Sequence, residues 1–529
     1  THGGTHLNAP ITEAEPLGRG RALLLPVAFA VVLAAIGFAL RSSPVIGRST
    51  IGAAAFLAIW AVALGLSARA SGRTFTLAVI PRKPHYVQLS TQAAIYLYWG
   101  WYVPLIRGFA VLILAQLVFA YGFSALLAWS RREHFELGFG PFPIIFSINL
   151  FLLFKPDWFY WQFGMIALGY LAKEFIRWEK NGRSTHIFNP SSFPLAIFSI
   201  GLIATNATDT TFGVDIATRL FDPPNIHAFL FAVSIPVQIL FGVATMTVAS
   251  VVTVYAFGVA FFAITGTYFF YEAYIPIAVF LGMHLLQTDP STSPRTETGR
   301  VVYGMMYGLG VVVLVVVLRA LEAPSFYDKL LPVLILNMMI QMVDRWVTSG
   351  PLRKLDLSAV APQTTGIRRN LAIVGIWIAI FAGIYGAGGF RDDHPGQWIP
   401  FWQTACSEGS DRGCVYLASF QQDICIQGSG WACNELAVLL VQRNSGDGEA
   451  LGALQAGCEL GFDPACENGL RLSSGNRTLT SAVPTLDDLP LVIRGAKGPV
   501  TERDPDRLFA RACEIGFEGT CQTASFASN

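Results

Sequence analysis

The sequence predicts an all-α protein, a polytopic membrane helix bundle followed by an extracytoplasmic, disulfide-stapled α-solenoid, and three observations carry that prediction. The 529 residues are 53% hydrophobic and only 13% charged, which is more apolar surface than a soluble domain can bury. The charge is split: residues 1–389 hold 26 Lys and Arg against 17 Asp and Glu, whereas residues 390–529 hold 10 against 18. All eight cysteines fall in the last quarter of the chain, which points to an oxidising compartment for the tail.

Crossing about 30 Å of hydrocarbon takes about 20 helical residues. Apolar runs of that kind lie near 22–40, 51–68, 109–129, 226–245, 248–264, 267–287, 301–320 and 371–388. Shorter or interrupted runs near 91–106, 141–155, 157–176, 193–205 and 330–346 read as tilted spans or half-helices. The domain plan is therefore an N-terminal extension at 1–21, a membrane domain at 22–350, a basic loop at 351–370, a final span at 371–388 and a tail domain at 389–529. The opening THGGTHLNAP lacks a Met and a small-residue cleavage site, reads as a truncated start, and leaves targeting to the first membrane helix. Lys and Arg mark cytoplasmic loops. Arg69, Arg73, Arg82 and Lys83 form one such cluster; Arg353, Lys354, Arg368 and Arg369 form another before the last span. Placing the second inside puts the cysteine-rich tail outside, so a bacterial inner membrane with a periplasmic C-terminal domain is expected.

Four tail segments read Cys, two residues, Gly, four residues, Cys. They are Cys406 to Cys414, Cys425 to Cys433, Cys458 to Cys466 and Cys513 to Cys521. On one continuous helix an eight-residue separation is about 12 Å between Cα atoms, beyond the roughly 4.4–6.8 Å of a disulfide. Stapling each pair therefore requires a break, and Gly409, Gly428, Gly461 and Gly516 stand where a helix-ending residue with positive φ belongs. Zinc ligation is the competing reading, but Cys-x7-Cys is not a knuckle spacing and no histidine accompanies it. The unit resembles the cysteine-rich Sel1-like repeats, helical hairpins with one disulfide each, over about 130 residues. The uneven offsets between units imply a degenerate unit and an insertion at about 470–500. Such solenoids present a surface to other proteins, so a periplasmic protein partner is expected there.

In the membrane part three stretches are polar: AKEF at 172–175 with NGRSTHIFNPSSF at 181–193, QTDPSTSPRTETGR at 287–300, and the segment 319–346. Irregular polar backbone at membrane depth is tolerated only where protein or a cavity covers it. The order AKEF, GR, FNP, then TDP followed by TSP, GR and YG, then a Pro- and Tyr-containing turn before an apolar helix, resembles NqrB, a membrane protein of the sodium-translocating NADH:quinone oxidoreductase, and RnfD, its counterpart in the Rnf electron transport complex. That resemblance covers about residues 80–350. It implies paired five-helix repeats, a membrane electron path, riboflavin in some members, and FMN esterified to a threonine in a Ser-Gly-Ala-Thr signature. Thr218 occupies the corresponding place here, but Asp215 and Ile216 stand where the signature has serine and glycine. The stiffer isoleucine favours non-covalent flavin, or none, over a phosphoester.

Candidate cofactor-binding residues are Thr218, the intramembrane pair Lys173 and Glu174, and the loop residues Asn189, Pro190, Thr288, Asp289 and Pro290. These loops can cap half-helices and aim N–H groups at a ligand, or simply shape their turns. If flavin binds, it is expected near 186–193 and 287–300. His227 and His284 flank spans without a paired-ligand pattern for haem. The chain lacks dinucleotide fingerprints and iron–sulfur spacing, so a subunit of an oxidoreductase complex needs partner subunits to receive electrons. The alternative is a cofactor-free scaffold or assembly subunit; a solute channel is a weaker third reading. Lipid is an expected partner, and nucleic acid is not.

Overall fold

In this computed structural model, residues 15–17, 19–180, 182–349, 366–495 and 500–521 are described. The helices are α1 (Arg19–Ala39), α2 (Pro44–Ser71), α3 (Lys83–Tyr102), α4 (Pro104–Gly108), α5 (Ala110–Arg131), α6 (Pro141–Asn149), α7 (Tyr160–Phe175), α8 (Ser192–Ala204), α9 (Gly213–Arg219), α10 (Ile226–Phe241), α11 (Ala244–Thr265) and α12 (Ile277–Leu285). They continue as α13 (Glu297–Ala320), α14 (Leu331–Ser349), α15 (Gly366–Gly386), α16 (Ile399–Ser407), α17 (Asp411–Ile426), α18 (Gly430–Gln442), α19 (Asp447–Glu459), α20 (Asp463–Ser473), α21 (Leu489–Val492) and α22 (Pro505–Glu514). Among the described residues seven helical segments are long and apolar enough to cross a bilayer: 21–39, 44–71, 110–131, 244–265, 297–320, 325–349 and 366–386. The protein is a multi-pass membrane protein. Its sheet is minor: β1 (Glu15–Leu17) pairs antiparallel with β2 (Phe75–Val79), which pairs parallel with β3 (His134–Leu137), and β4 (Arg177–Lys180) pairs with β5 (Arg183–His186).

Contacts divide the chain into two compact units, Thr1–Val254 with Ile277–Ala382, and Tyr255–Pro276 with Gly383–Asn529. Two runs expected to span differ in the structure. The run at 226–245 ends as α10 at Gly242, which takes φ 64°. The run at 267–287 is not one helix. The chain leaves α11 at Gly266 with φ 67°, passes through an irregular Tyr- and Phe-rich stretch, and becomes helical only after Pro276, as the nine residues of α12. Aromatic residues count as apolar in a hydropathy window, yet Gly and Pro set where the backbone can coil.

Helices α3 and α5 to α8 form one five-element half, and α10 to α14 form a second with the same order of parts, α11 running from the first unit into the second at Tyr255. In each the third element is a nine-residue half-helix, α6 or α12, about 13 Å long in a bilayer core of about 30 Å. The leading helices run antiparallel. Tyr98, near the end of α3, stacks on Phe229 near the start of α10 at 4.0 Å, while Thr91, earlier in α3, donates to the Val233 carbonyl at 3.0 Å. Close packing is set by glycine: a Cβ at Gly304 on α13 would collide with the Met246 carbonyl of α11, the small-residue device of membrane helix pairs.

In the second unit the four disulfides join Cys406 to Cys414, Cys425 to Cys433, Cys458 to Cys466 and Cys513 to Cys521, with Cα separations of 4.6 to 4.9 Å. Gly409, Gly428, Gly461 and Gly516 take φ of 82° to 107°, as the spacing demanded. The uneven offsets have a simple cause. Helix α17 carries a half-cystine at each end, so the first two staples close consecutive turns instead of separate hairpins. The next turn, between α18 and α19, has no cysteines, and Asn444 at φ 54° takes the part of the glycine. The insertion is an ordered strap along 476–488: Asn468 Nδ2 donates to the Thr480 carbonyl at 2.9 Å, the Ala482 N–H donates to Glu435 Oε1 at 2.8 Å, and Ser429 Oγ donates to Asp488 Oδ1 at 2.6 Å. Trp402, Leu417, Trp431, Leu454 and Phe462 belong to the core of this unit.

Candidate functional site

Lys173 and Glu174 stand in the last turn of α7, where the N-terminus of α3, the end of α5 and the glycine-containing turn before α6 meet. They line a cavity of about 340 Å³ with Arg82, His85, Arg132 and Tyr170. Two of its cations are paired. Arg82 contacts Glu136, and Arg132 Nη2 lies 2.7 Å from Glu174 Oε2. Lys173 has no ion pair within 4.0 Å among the described residues; Asp289 is the carboxylate whose charge acts on it. The Tyr170 hydroxyl, one helical turn before Lys173, is buried without a hydrogen-bond partner. Gly140 and Pro141 also line the space, so the N-terminus of α6 borders it. An ammonium without an ion pair and an unsatisfied hydroxyl sit beside the aromatic wall of Tyr121 and Tyr170, while the first turn of α6 adds no free donor, since Pro141 and Pro143 lack an N–H and the Phe142 N–H donates to the Phe139 carbonyl.

The two polar loops meet each other. Asn189 Oδ1 accepts from the Ser191 N–H at 2.9 Å and its hydroxyl at 2.8 Å, and Asn189 Nδ2 donates to the Leu286 carbonyl at 3.2 Å. The Asn189 N–H donates to Asn337 Oδ1 at 3.1 Å, and Asn337 Nδ2 donates to the Tyr303 hydroxyl at 3.0 Å. Thr288 turns its hydroxyl back to the His284 carbonyl at 2.6 Å. Asp289 Oδ1 accepts from the Ser291 N–H at 2.9 Å while Oδ2 lies 3.6 Å from His186 Nε2. Pro190 presses its carbonyl where a Cβ on Gly169 would sit, and Pro290 opens a single 3-10 turn. Asn189 and Thr288 are buried, and the hydrogen bonds of these loops largely close on themselves.

Thr218 lies elsewhere. Its hydroxyl donates to the Val214 carbonyl at 2.9 Å within α9, and Ile216 is core at 1% exposure, so the isoleucine in place of the signature's glycine serves a short packed helix, while Asp215 is exposed in its first turn. The Arg219 carbonyl beside Thr218 accepts from Trp99 Nε1 at 3.1 Å. Trp99 is fourteen residues along α3 from His85, or about 21 Å, which puts Thr218 at the opposite end of α3 from the Lys173 cavity. His227 and His284 pack against Phe280 at 5.2 and 4.2 Å, and His284 Nδ1 contacts the Phe280 carbonyl at 2.7 Å.

Sequence reasoning used Arg82 only as a topology charge and passed over His85, Arg132 and Tyr170. The i, i+3 spacing of Tyr170 and Lys173 on one helix face was the available signal. It also missed the adjacent Asp328 and Lys329, each 3% exposed. Their 3.0 Å ion pair and the 3.0 Å bond from the Tyr307 hydroxyl to the Lys329 carbonyl make a buried polar knot before α14. Of the basic loop, Arg353 and Lys354 lie outside the described residues. Arg369 reaches Glu297 Oε1 at 3.3 Å, alongside Arg300 at 2.8 Å.

Residues 226–352 match the model of the NQR2, RnfD, RnfE family. The match begins where α10 begins and runs past α14, so it takes in the second five-element half. It is narrower than the 80–350 over which the motifs suggested likeness, and the first half with its cavity lies outside it. No curated protein and no solved structure matches the chain.

Proposed function

We propose that this chain is the membrane subunit of an electron-transfer complex related to redox-driven ion pumps, and that it holds flavin non-covalently in the Lys173 cavity. The observation that carries the electron-transfer reading is the family match over residues 226–352; the cavity is chosen as the flavin site because it holds Lys173 without an ion pair beside the unpartnered Tyr170 hydroxyl. The residues fit the cofactor: Lys173 and the Tyr170 hydroxyl suit a phosphate, and Tyr121 suits the edge of a ring. Bound flavin supplies one- and two-electron transfer. Lys173 supplies the counter-charge, Arg132 and Glu174 hold each other in position, and the Tyr170 hydroxyl is available as a donor. Thr218 is not the attachment point in this reading, since its hydroxyl is engaged inside α9. Residues 389–529 are a Sel1-like domain in the periplasm, facing a protein partner, with the remaining subunits supplying electrons to the membrane.

The test is the visible spectrum of the purified protein in detergent, followed by acid precipitation. Flavin absorbance that moves to the supernatant, and that falls by about tenfold in Lys173→Gln, is the expected result. A colourless preparation, or flavin unaffected by Lys173→Gln, refutes the site. The second reading, a cofactor-free scaffold, is favoured by one observation: the loops at 186–193 and 287–300 bond to their protein neighbours, with Asn189 taken by Asn337 and Leu286.

A further inference from the structure

The second unit carries a pocket that neither the fold nor the electron-transfer reading uses. It has a volume of about 290 Å³ and is formed by α16, α17, α18 and the strap at Ser481. Its polar lining is made of glutamine amides, serine hydroxyls, the Glu435 carboxylate and, at its border, Arg443. Gln421 is 2% exposed, and its Oε1 has no hydrogen-bond partner. Glu435 is 6% exposed; its Oε1 accepts from the Ala482 N–H at 2.8 Å and from Asn434 Nδ2 at 3.0 Å. Those bonds hold the carboxylate rigid, and no cation pairs with it among the described residues. Arg443 borders the pocket but is engaged with Asp411 at 2.6 Å. Leu417 and Val438 supply an apolar wall.

A buried carboxylate is costly without a positive partner, and a buried amide oxygen is costly without a donor. A single group satisfies both: an ammonium or guanidinium on an aliphatic stem, its stem against Leu417 and Val438 in the manner of any half-buried basic side chain. The surroundings favour a polypeptide as its source, because residues 390–529 carry 18 Asp and Glu against 10 Lys and Arg, which draws a basic partner segment. We infer that the Gln421–Glu435 pocket receives a lysine or arginine side chain from a basic segment of a partner protein. This deepens the proposed docking role of the unit and does not depend on flavin.

The test uses the full chain in lipid nanodiscs and fluorescein-labelled Gly-Ser peptides carrying one central lysine, arginine or acetyl-lysine, read by anisotropy. The lysine and arginine peptides should bind about tenfold more tightly than the acetyl-lysine peptide, or about 1.4 kcal/mol. Glu435→Gln, which keeps an acceptor for the Ala482 N–H, should erase that preference, and Gln421→Leu should weaken binding by roughly threefold. Equal binding of all three peptides, or an undiminished lysine preference in Glu435→Gln, overturns the proposal. Should Glu435→Gln lose its helical circular dichroism, Gln421→Leu decides alone, and unchanged affinity there sinks the pocket. Reading the flavin spectrum on the same samples keeps failure of this pocket separate from failure of the electron-transfer reading.

Discussion

Replacing Arg412 with methionine keeps the stem of the side chain and deletes its guanidinium, and the geometry sets what that costs. Nε donates to the Tyr268 carbonyl at 3.2 Å and Nη2 to the Phe269 carbonyl. The same group lies 5.1 Å from the Phe261 ring centroid and 5.0 Å from that of Tyr416. Arg412 thereby ties α17 to the irregular stretch that follows α11, within one compact unit. Hydrogen bonds from a charged donor contribute about 1.5–3 kcal/mol each, and the low end applies to a half-buried group. The ring contacts add about 0.5–1 kcal/mol. The loss is then about 3–4 kcal/mol. At about 2–4 °C per kcal/mol for a domain of this size, the unit should open roughly 6–16 °C lower. The assay is the temperature at which thermolysin begins to cleave the C-terminal unit in intact protein, followed with a C-terminal epitope. Arg412→Lys, which keeps the charge but not the forked donor, should fall between. A shift of Arg412→Met below about 2 °C would show that the two carbonyls find water at no cost and that the tie is ornamental.

Three further outcomes are expected. Replacing Cys425 and Cys433 together by serine opens a staple whose ends are eight residues apart, which should cost about 2.5 kcal/mol by chain entropy, read by the same cleavage assay; non-reduced peptide mapping should show the other three links unchanged. Asn337→Leu removes the acceptor for the buried Asn189 N–H and should destabilise the membrane unit by about 1–3 kcal/mol, seen as a lower aggregation temperature in detergent. Burial raises the Glu435 carboxyl above its ordinary range, against the opposing bond from the Ala482 N–H. A raised folded-state pKa means stability that is present below the ordinary value of about 4.3 and is lost as pH rises through the folded value. The melting temperature of Glu435→Gln relative to the native protein should therefore climb as pH rises from about 4, and a flat difference would contradict the buried carboxylate.

The stapled turns were legible because disulfide reach and helix rise admit one local solution, and Gly409, Gly428, Gly461 and Gly516 carry it in one dimension. Asn444 was not legible as the same kind of turn, since without cysteines only its positive φ reveals it. Long apolar runs announced the membrane class through composition alone. The half-helix α12 did not, because hydropathy is blind to Gly266 and Pro276 acting on the backbone of an aromatic stretch.

For the candidate site, the type and order of the polar residues were in the sequence, while their partners were not. Lys173 and Glu174 stood out as charges in an apolar helix, yet the sequence could not say that Glu174 is taken by Arg132 while Lys173 has only the more distant charge of Asp289. Asn189 and Thr288 read equally as ligands or as caps; the structure shows their side-chain bonds going to neighbouring loop and helix groups. Thr218 matched by its place in the chain and sits about one helix length away. Local rules of rise, φ and burial decide what a residue can form with its neighbours along the chain. Which charge is left unpaired is settled only when helices distant in sequence meet, because a few ångströms separate a satisfied ion pair such as Arg132 with Glu174 from a lysine left without one.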